Sequence, residues 1–125
     1  MAVEITCTVR GHSLAIPFGK IAEKILGKNY SLSLVLSGDK LTRKINRAYR
    51  KKDYPANVLS FALSKNEGEI FLNVRRAERE AKALGISLRY RVAHLFAHGC
   101  LHLAGLPHGK KMDESEKKIL QKLDL

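Results

Sequence analysis

The stretch His94-Leu-Phe-Ala-His-Gly-Cys-Leu-His-Leu-Ala-Gly-Leu-Pro-His108 holds four of the five histidines of the chain. Apolar residues at helical spacing predict a helix over Tyr90–Ala104. Gly105 is typical of a residue that ends a helix, and Pro107, two residues later, cannot continue one. The chain therefore turns after the helix, and the turn can bring His108 back over the helix end.

Three of these histidines are predicted to share a metal ion. His98 and His102 lie one helical turn apart, about 6 Å along the axis, which suits two imidazoles on one zinc ion at about 2.0–2.1 Å. His94 and His102 lie about 12 Å apart, too far to reach the same ion. With His108 the predicted ligand set has three members and holds one Zn²⁺ per chain. A fourth coordination position stays open for water, as in catalytic sites.

Two other side chains of this helix need separate interpretations. His94 could orient a ligand or the substrate, and it is our first candidate for a general acid; it could equally be a packed, hydrogen-bonded histidine. Cys100 is turned about 200° away from the face that carries His98 and His102. We therefore expect Cys100 in the core rather than as a fourth ligand.

Charge and length narrow the class of protein. The 125 residues include 23 Lys and Arg against 12 Asp and Glu, a formal net charge of +11. The length predicts one domain over residues 1–125, and the charge indicates a polyanionic partner, nucleic acid first and an acidic membrane surface second. No signal-peptide pattern or apolar run of about 18 residues is visible, so we expect a cytoplasmic protein. The two cysteines form no CxxC motif.

The periodicity of apolar residues predicts nine elements in the order β-α-β-α-β-β-α-α-α. This order indicates an α+β fold, with a small mixed sheet of about four strands packed against about five helices. Gly11 to Ser13 is expected to break the chain after the first strand. The predicted strands cover residues 3–9, 31–37, 57–63 and 69–74, and the predicted helices cover residues 17–26, 39–49, 74–84, 90–104 and 113–123.

Three local expectations accompany these elements. Asp39 is predicted to cap the second helix, and Leu84 is predicted to point inward from the third. The last helix is expected to carry Asp113, Glu114 and Glu116 in its first turn, where acidic residues favour the helix dipole.

A basic segment follows the second strand. Seven Lys and Arg residues lie between Lys40 and Lys52. Most could simply form a solvated helix face, but as a group they suit phosphates. Arg50 either holds a phosphate bidentately or forms a structural ion pair, for example with Asp53. Tyr49 is assigned to the apolar stripe of the same helix. The predicted substrate-binding residues are Arg43, Arg47, Arg50 and Lys51, and Arg50 and His94 are the predicted catalytic residues.

Two motifs together resemble those of one family. The pattern His98-Gly99-x-Leu101-His102-Leu103-x-Gly105-x-x-His108 resembles HGxLHLxGxDH, the signature of the YbeY family of bacterial rRNA-maturation endoribonucleases, with Pro107 in place of the aspartate. A second block resembles the family's segment around Pro-Thr-Asp/Asn-Val-Leu-Ser-Phe, with Ala56 in place of the threonine. Its matching residues are Asn46, Tyr49, Arg50, Asp53, Pro55, Asn57, Val58, Leu59, Ser60 and Phe61. The resemblance implies that Arg50 lines the active-site cleft and that the histidine helix packs on a sheet of about four strands, as in zinc-dependent peptidases.

The residue after the first ligand separates two chemistries. Peptidases with an H-E-x-x-H helix use the glutamate as general base, whereas this chain has Gly99 there. Glycine is expected to leave room beside the ion for water and a bulky substrate. A zinc ion held by three histidines can activate water without that glutamate. Either such a water or the RNA 2′-OH could attack phosphorus, and the sequence leaves both routes open.

Three functional hypotheses follow. The first is a zinc-dependent, single-strand-specific endoribonuclease. The resemblance implies that it acts in late rRNA processing at the 16S rRNA 3′ end and in ribosome quality control, with rRNA and the ribosome or ribosomal proteins as partners and a monomeric state. The second is a metal-dependent peptidase or amidohydrolase. The third is a non-catalytic ribosome-binding protein in which the zinc is structural.

Overall fold

The computed structural model describes residues 2–9 and 15–123. The predicted break at Gly11 to Ser13 lies outside the described residues. Within them the chain forms a mixed four-stranded sheet and five helices, so the α+β fold class is confirmed. The elements are β1 (Ala2–Cys7), α1 (Phe18–Leu26), β2 (Ser31–Ser37), α2 (Asp39–Arg50), β3 (Val58–Ser64), β4 (Glu67–Asn73), α3 (Val74–Leu84), α4 (Leu88–Leu103) and α5 (Lys110–Gln121).

The strand order of the sheet is β1-β2-β4-β3. β1, β2 and β4 run parallel, with Leu34 beside Ile70 in the two central strands. β3 pairs antiparallel with β4, so these two consecutive strands form a hairpin. β3 is therefore an edge strand, and its unpaired side is available to border a site.

Helix α4 is the centre of the hydrophobic core. Its residues from Val92 to Leu101 are buried except for His94 and His98. Phe96 has no exposed surface, and its ring meets the edge of Phe18 on α1 at a centroid distance of 4.9 Å. A helix that is apolar around most of its circumference must be covered on several sides. α4 accordingly contacts α1, α3, α5, β3 and β4.

A buried asparagine fixes the position of α2. Asn73 ends β4, and its Nδ2 lies 2.9 Å from Asp39 Oδ1, 3.0 Å from Thr42 Oγ1 and 3.2 Å from the Ala56 carbonyl. Its Oδ1 accepts a hydrogen bond from the backbone N–H of Arg76 and so caps α3. One amide thus ties α2, the loop before β3 and the start of α3 together.

The prediction that Asp39 caps α2 is wrong. Gly38 is the N-cap residue, no side chain caps this helix end, and Asp39 is the first helical residue. Its carboxylate instead accepts hydrogen bonds from Arg79 at 2.8 and 3.0 Å. Hydrogen bonds from Asn73 on β4 and Arg79 on α3 therefore take the place of a local capping bond.

We expect Asp39→Asn to lower the free energy of unfolding by less than about 1 kcal/mol at pH 7, because both partners of the ion pair are more than a third exposed. The hydrogen bond from Arg79 lowers the pKa of Asp39 against an opposing effect of burial. The stabilisation is thus complete above about pH 4, where an unfolded aspartate is ionised, and is lost as the pH falls through the lower pKa of the folded protein. Urea unfolding of the wild type and of Asp39→Asn from pH 7 to low pH measures this stabilisation. A difference in the free energy of unfolding that does not shrink toward low pH would contradict the prediction.

Two other local expectations also need correction. Leu84 is 59% exposed rather than inward; it is the last residue of α3, directly before the C-cap residue Gly85. α5 begins at Lys110, three residues earlier than expected, so Glu116 lies in its second turn and is buried. Of the helices in the described part of the chain, none has both the length and the apolar character that a membrane span requires.

Candidate metal centre

The three predicted ligands converge. His98 and His102 come from consecutive turns of α4, and His108 comes from the loop before α5. His102 Nε2 lies 3.1 Å from His98 Nε2 and 3.0 Å from His108 Nε2. One nitrogen of each ring lies within 4.8 Å of the corresponding atoms of the other two rings.

The helix end explains how His108 reaches the other two. Gly105 has φ +95°, which L-residues with a side chain rarely adopt. The Gly105 N–H donates to the carbonyl of His102, and the Leu106 N–H donates to the carbonyl of Leu101. This is a Schellman arrangement, in which the chain reverses over the last helical turn. The predicted role of Gly105 in ending the helix is therefore visible in the structure.

The donor set fits a divalent metal that binds imidazole. Tetrahedral coordination with bonds of about 2.0–2.1 Å places two ligand nitrogens about 3.3 Å apart, close to the two Nε2–Nε2 separations at His102. Burial lowers the pKa of His102, and the neighbouring His98 and His108 lower it further. The ring is therefore neutral at pH 7, as a metal ligand must be.

Glu116 is the functional residue that sequence reasoning missed. It is 5% exposed, and its Oε2 lies 2.9 Å from His98 Nδ1. Burial by itself would raise its pKa, but the hydrogen bonds with His94 and His98 outweigh it and hold the pKa at about 2. The ionised carboxylate accepts a hydrogen bond from the Nδ1–H of His98, and this tautomer leaves Nε2 free to bind a metal. A signal was present in the sequence, because Glu116 shares one helical face with Met112, Ile119 and Leu120.

His94 belongs to a network of charged side chains. Its Nε2 lies 3.3 Å from Glu116 Oε1, and Arg91 donates to its Nδ1 at 3.2 Å. Arg91 is held in turn by Glu80 through two bonds of 2.8 and 3.0 Å. These contacts agree with the interpretation of His94 as a hydrogen-bonded histidine. They also link His94 to His98 through Glu116. His94 is not among the residues that line the cavity next to the three imidazoles, so its predicted role as a catalytic residue stays a prediction.

A cavity of about 510 Å³ opens at the three imidazoles. Arg50, the last residue of α2, lies in its wall; the sequence resemblance implies that this residue lines the active-site cleft. The edge strand β3 supplies another part of the lining. The described residues that line the cavity are Tyr49, Arg50, Asn57, Val58, Leu59, Ser60, Phe61, His98, His102 and His108.

The other predicted substrate-binding residues lie outside this cavity. Asp53, in the loop after α2, pairs with Arg43 at 2.9 Å and with Arg47 at 3.4 Å, and all three side chains are exposed. Asp53 is therefore the partner of these two arginines rather than of Arg50. Lys51 is exposed and caps the helix with φ +55°. Arg43, Arg47 and Lys51 are therefore not part of the cavity lining.

Gly99 and Cys100 serve packing. A Cβ at position 99 would lie 2.9 Å from Ser60 Oγ and 3.1 Å from Ile70 Cδ1. The space expected beside the ion is thus taken by the sheet, and the glycine lets α4 approach β3. Ser60 Oγ donates to the Gly99 carbonyl at 3.1 Å across this contact. Cys100 is fully buried, and burial raises the pKa of its thiol, which keeps it protonated and out of the ligand set.

These features first define a class. The chain is a small α+β protein with a mixed sheet, in which a buried helix and the loop after it bring three imidazoles to a cavity beside an edge strand. An arginine from a second helix lies in the wall of the same cavity.

Comparison with known proteins gives the family. The family model for Endoribonuclease YbeY matches residues 14–124, and the chain belongs to this family. It is 33% identical to Endoribonuclease YbeY of Geobacter metallireducens over 99% of this chain and 97% of that protein. It is 37% identical to Endoribonuclease YbeY of Aquifex aeolicus over 80% and 71% of the two chains. The fold is similar to the solution structure of TM1509 from Thermotoga maritima, with a TM-score of 0.70, 25% identity and coverage of 97% and 88%. The resemblance inferred from the two motifs is confirmed.

Proposed function

We propose that this protein is a zinc-dependent endoribonuclease that cleaves single-stranded RNA. The observation that carries the proposal is the convergence of His98, His102 and His108 in a cavity that also contains Arg50. Membership of the Endoribonuclease YbeY family supports RNA phosphodiester hydrolysis as the activity. The net charge of +11 supports a polyanionic substrate.

Each residue has a defined task in this proposal. A bound zinc ion would supply Lewis acidity toward the phosphate and would lower the pKa of water. Arg50 would hold a phosphate oxygen pair and neutralise charge that develops during cleavage. Glu116 would keep His98 in the tautomer that offers Nε2. The oxygen that attacks phosphorus comes either from water or from the RNA 2′-OH, and the proposal is compatible with both routes.

The cellular assignment rests on the family resemblance. We propose that the substrate is rRNA, that cleavage belongs to late processing of the 16S rRNA 3′ end and to ribosome quality control, and that the ribosome or its proteins are partners. In this proposal residues 1–125 act as one domain, as a monomer, in the cytoplasm.

Substrate selection tests the proposal. Zinc-loaded protein is expected to cut a labelled single-stranded oligoribonucleotide, to leave the same sequence in a perfect duplex largely intact, and to release no peptides from casein. Casein should resist because position 99 is glycine where peptidases of the H-E-x-x-H type carry their general base. Gel analysis of the RNA and mass spectrometry of the casein digest provide the readouts. Zinc-dependent casein peptides without RNA fragments would overturn the nuclease proposal in favour of a peptidase.

A further inference from the structure

Tyr49 is far more exposed than a residue of the apolar stripe of α2 should be. The sequence assigns it to the apolar stripe of α2, yet the structure leaves it 73% exposed. This is the largest exposed fraction among the large hydrophobic residues in the described ranges, ahead of Leu63 at 60% and Leu84 at 59%. An aromatic ring held in water at the mouth of a cavity is a common feature of binding sites.

The ring nevertheless has firm support. The Tyr49 centroid lies 5.4 Å from that of Phe61 on β3, with the planes tilted by 60°. Phe61 meets Phe71 on β4 edge-on at 6.0 Å. The three rings form a continuous aromatic row from the sheet to the surface, so Tyr49 is a supported platform rather than a free side chain.

This platform belongs to the same cavity as the metal centre. Tyr49 and Phe61 line the cavity together with Arg50 and the three histidines. Tyr49 also directly precedes Arg50 at the end of α2. Arg50 is the proposed phosphate contact, and a nucleotide attaches its base to the same sugar that carries the phosphate. A base adjoining the held phosphate would therefore lie within reach of the platform.

We propose that Tyr49, supported by Phe61, forms a stacking subsite for an unpaired nucleobase next to the scissile phosphate. The subsite rests on the proposed function and deepens it. Stacking on an aromatic ring tolerates any base, because every base has a π face. A base inside a duplex already stacks on its neighbours and would have to leave the helix first. The platform thus supplies a physical reason for preferring single strands without a preferred sequence.

Variants of Tyr49 test the subsite. Tyr49→Ala is expected to raise KM for a single-stranded oligoribonucleotide about tenfold and to change kcat by less than about threefold. Tyr49→Phe keeps the ring and should remain within about twofold of the wild type. Tyr54→Ala is the matched control, since Tyr54 is 47% exposed and outside the cavity. Its kinetics should match the wild type, and zinc content and melting temperature should be the same in all four proteins.

A substrate without a base gives the sharper measurement. Removing the stacked base from the oligoribonucleotide should weaken wild-type binding about tenfold and should have little effect on Tyr49→Ala. 2-Aminopurine at that position should be quenched on binding to the wild type and not to Tyr49→Ala. Equal KM values and equal quenching in the two proteins would overturn the subsite.

Binding also separates this inference from the proposed function. Quenching of 2-aminopurine fluorescence requires no cleavage, so it can be measured whether or not the wild type cuts RNA. Tyr49-dependent quenching in a protein that cuts no RNA would support the subsite and count against the nuclease. RNA cleavage that is insensitive to Tyr49→Ala would support the nuclease and reject the subsite.

Discussion

His102→Ala is expected to reduce RNA cleavage by at least about 10³-fold, the upper end of the cost of losing one electrostatic contact in an active site. His102 is the central ligand, since its Nε2 is within 3.1 Å of both other imidazole nitrogens. Without it, two ligands remain on separate segments of the chain, and zinc content should fall to a small fraction per protein. Single-turnover cleavage and metal analysis of protein purified without a His tag measure the two effects.

The fold should survive this change. His102 is only partly buried, and the core around α4 is made by other faces of the helix. The melting temperature of His102→Ala should therefore match that of chelator-treated wild type, which should also lack activity and regain it with zinc. His102→Cys, which keeps a zinc ligand, should retain more metal than His102→Ala. Wild-type cleavage by folded His102→Ala would show that the metal is merely structural.

The second large effect is expected at Glu116. Glu116→Gln should lower zinc affinity about 10–100-fold, the usual cost of losing a carboxylate that orients a ligand histidine. The amide keeps the size of the side chain but not its charge. The carboxylate accepts a hydrogen bond from each of His94 and His98, whereas the amide can accept from only one of them, and its NH₂ group then faces the N–H of the other. Competition with a chromophoric chelator measures the affinity without reference to catalysis.

Glu114→Gln is the matched control for this measurement. Glu114 lies on the same helix, α5, but it is exposed. Its removal takes away the same formal charge and should leave zinc affinity unchanged. If Glu116→Gln bound zinc as tightly as both the wild type and Glu114→Gln, the carboxylate would have no part in preparing His98.

Local rules were sufficient to predict that His98, His102 and His108 converge and to place most of the elements. The spacing of His98 and His102 is a property of any α-helix, and the Gly105–Pro107 pair marks a reversal whatever the rest of the fold does. The alternation of Leu32, Leu34 and Leu36 likewise predicts β2 directly, and all three are buried. These features depend on neighbours within a few residues, which is the range that a sequence pattern covers.

The misplaced residues depend on partners far away in the chain. Asp39 was expected to make a local capping bond, but Arg79 lies 40 residues later. Gly99 was assigned to the metal side because the approach of Ser60 on β3 has no trace in the local sequence. Glu116 looked like a helix-dipole residue until the packing of α5 on α4 brought it to His98. In each case the strand order and helix docking decide the role.

The position of α5 has a consequence for the order of events during synthesis. One of the three converging histidines, His108, and the carboxylate of Glu116 behind another both lie beyond residue 107, after the four strands and four of the five helices of the described residues. A partly translated chain that has not yet made α5 lacks both groups, as well as the buried Met112, Ile119 and Leu120 that α5 adds to the core. Under the proposed function, the RNA-cleaving site of a newly made chain is therefore complete only once α5 has emerged and docked on α4.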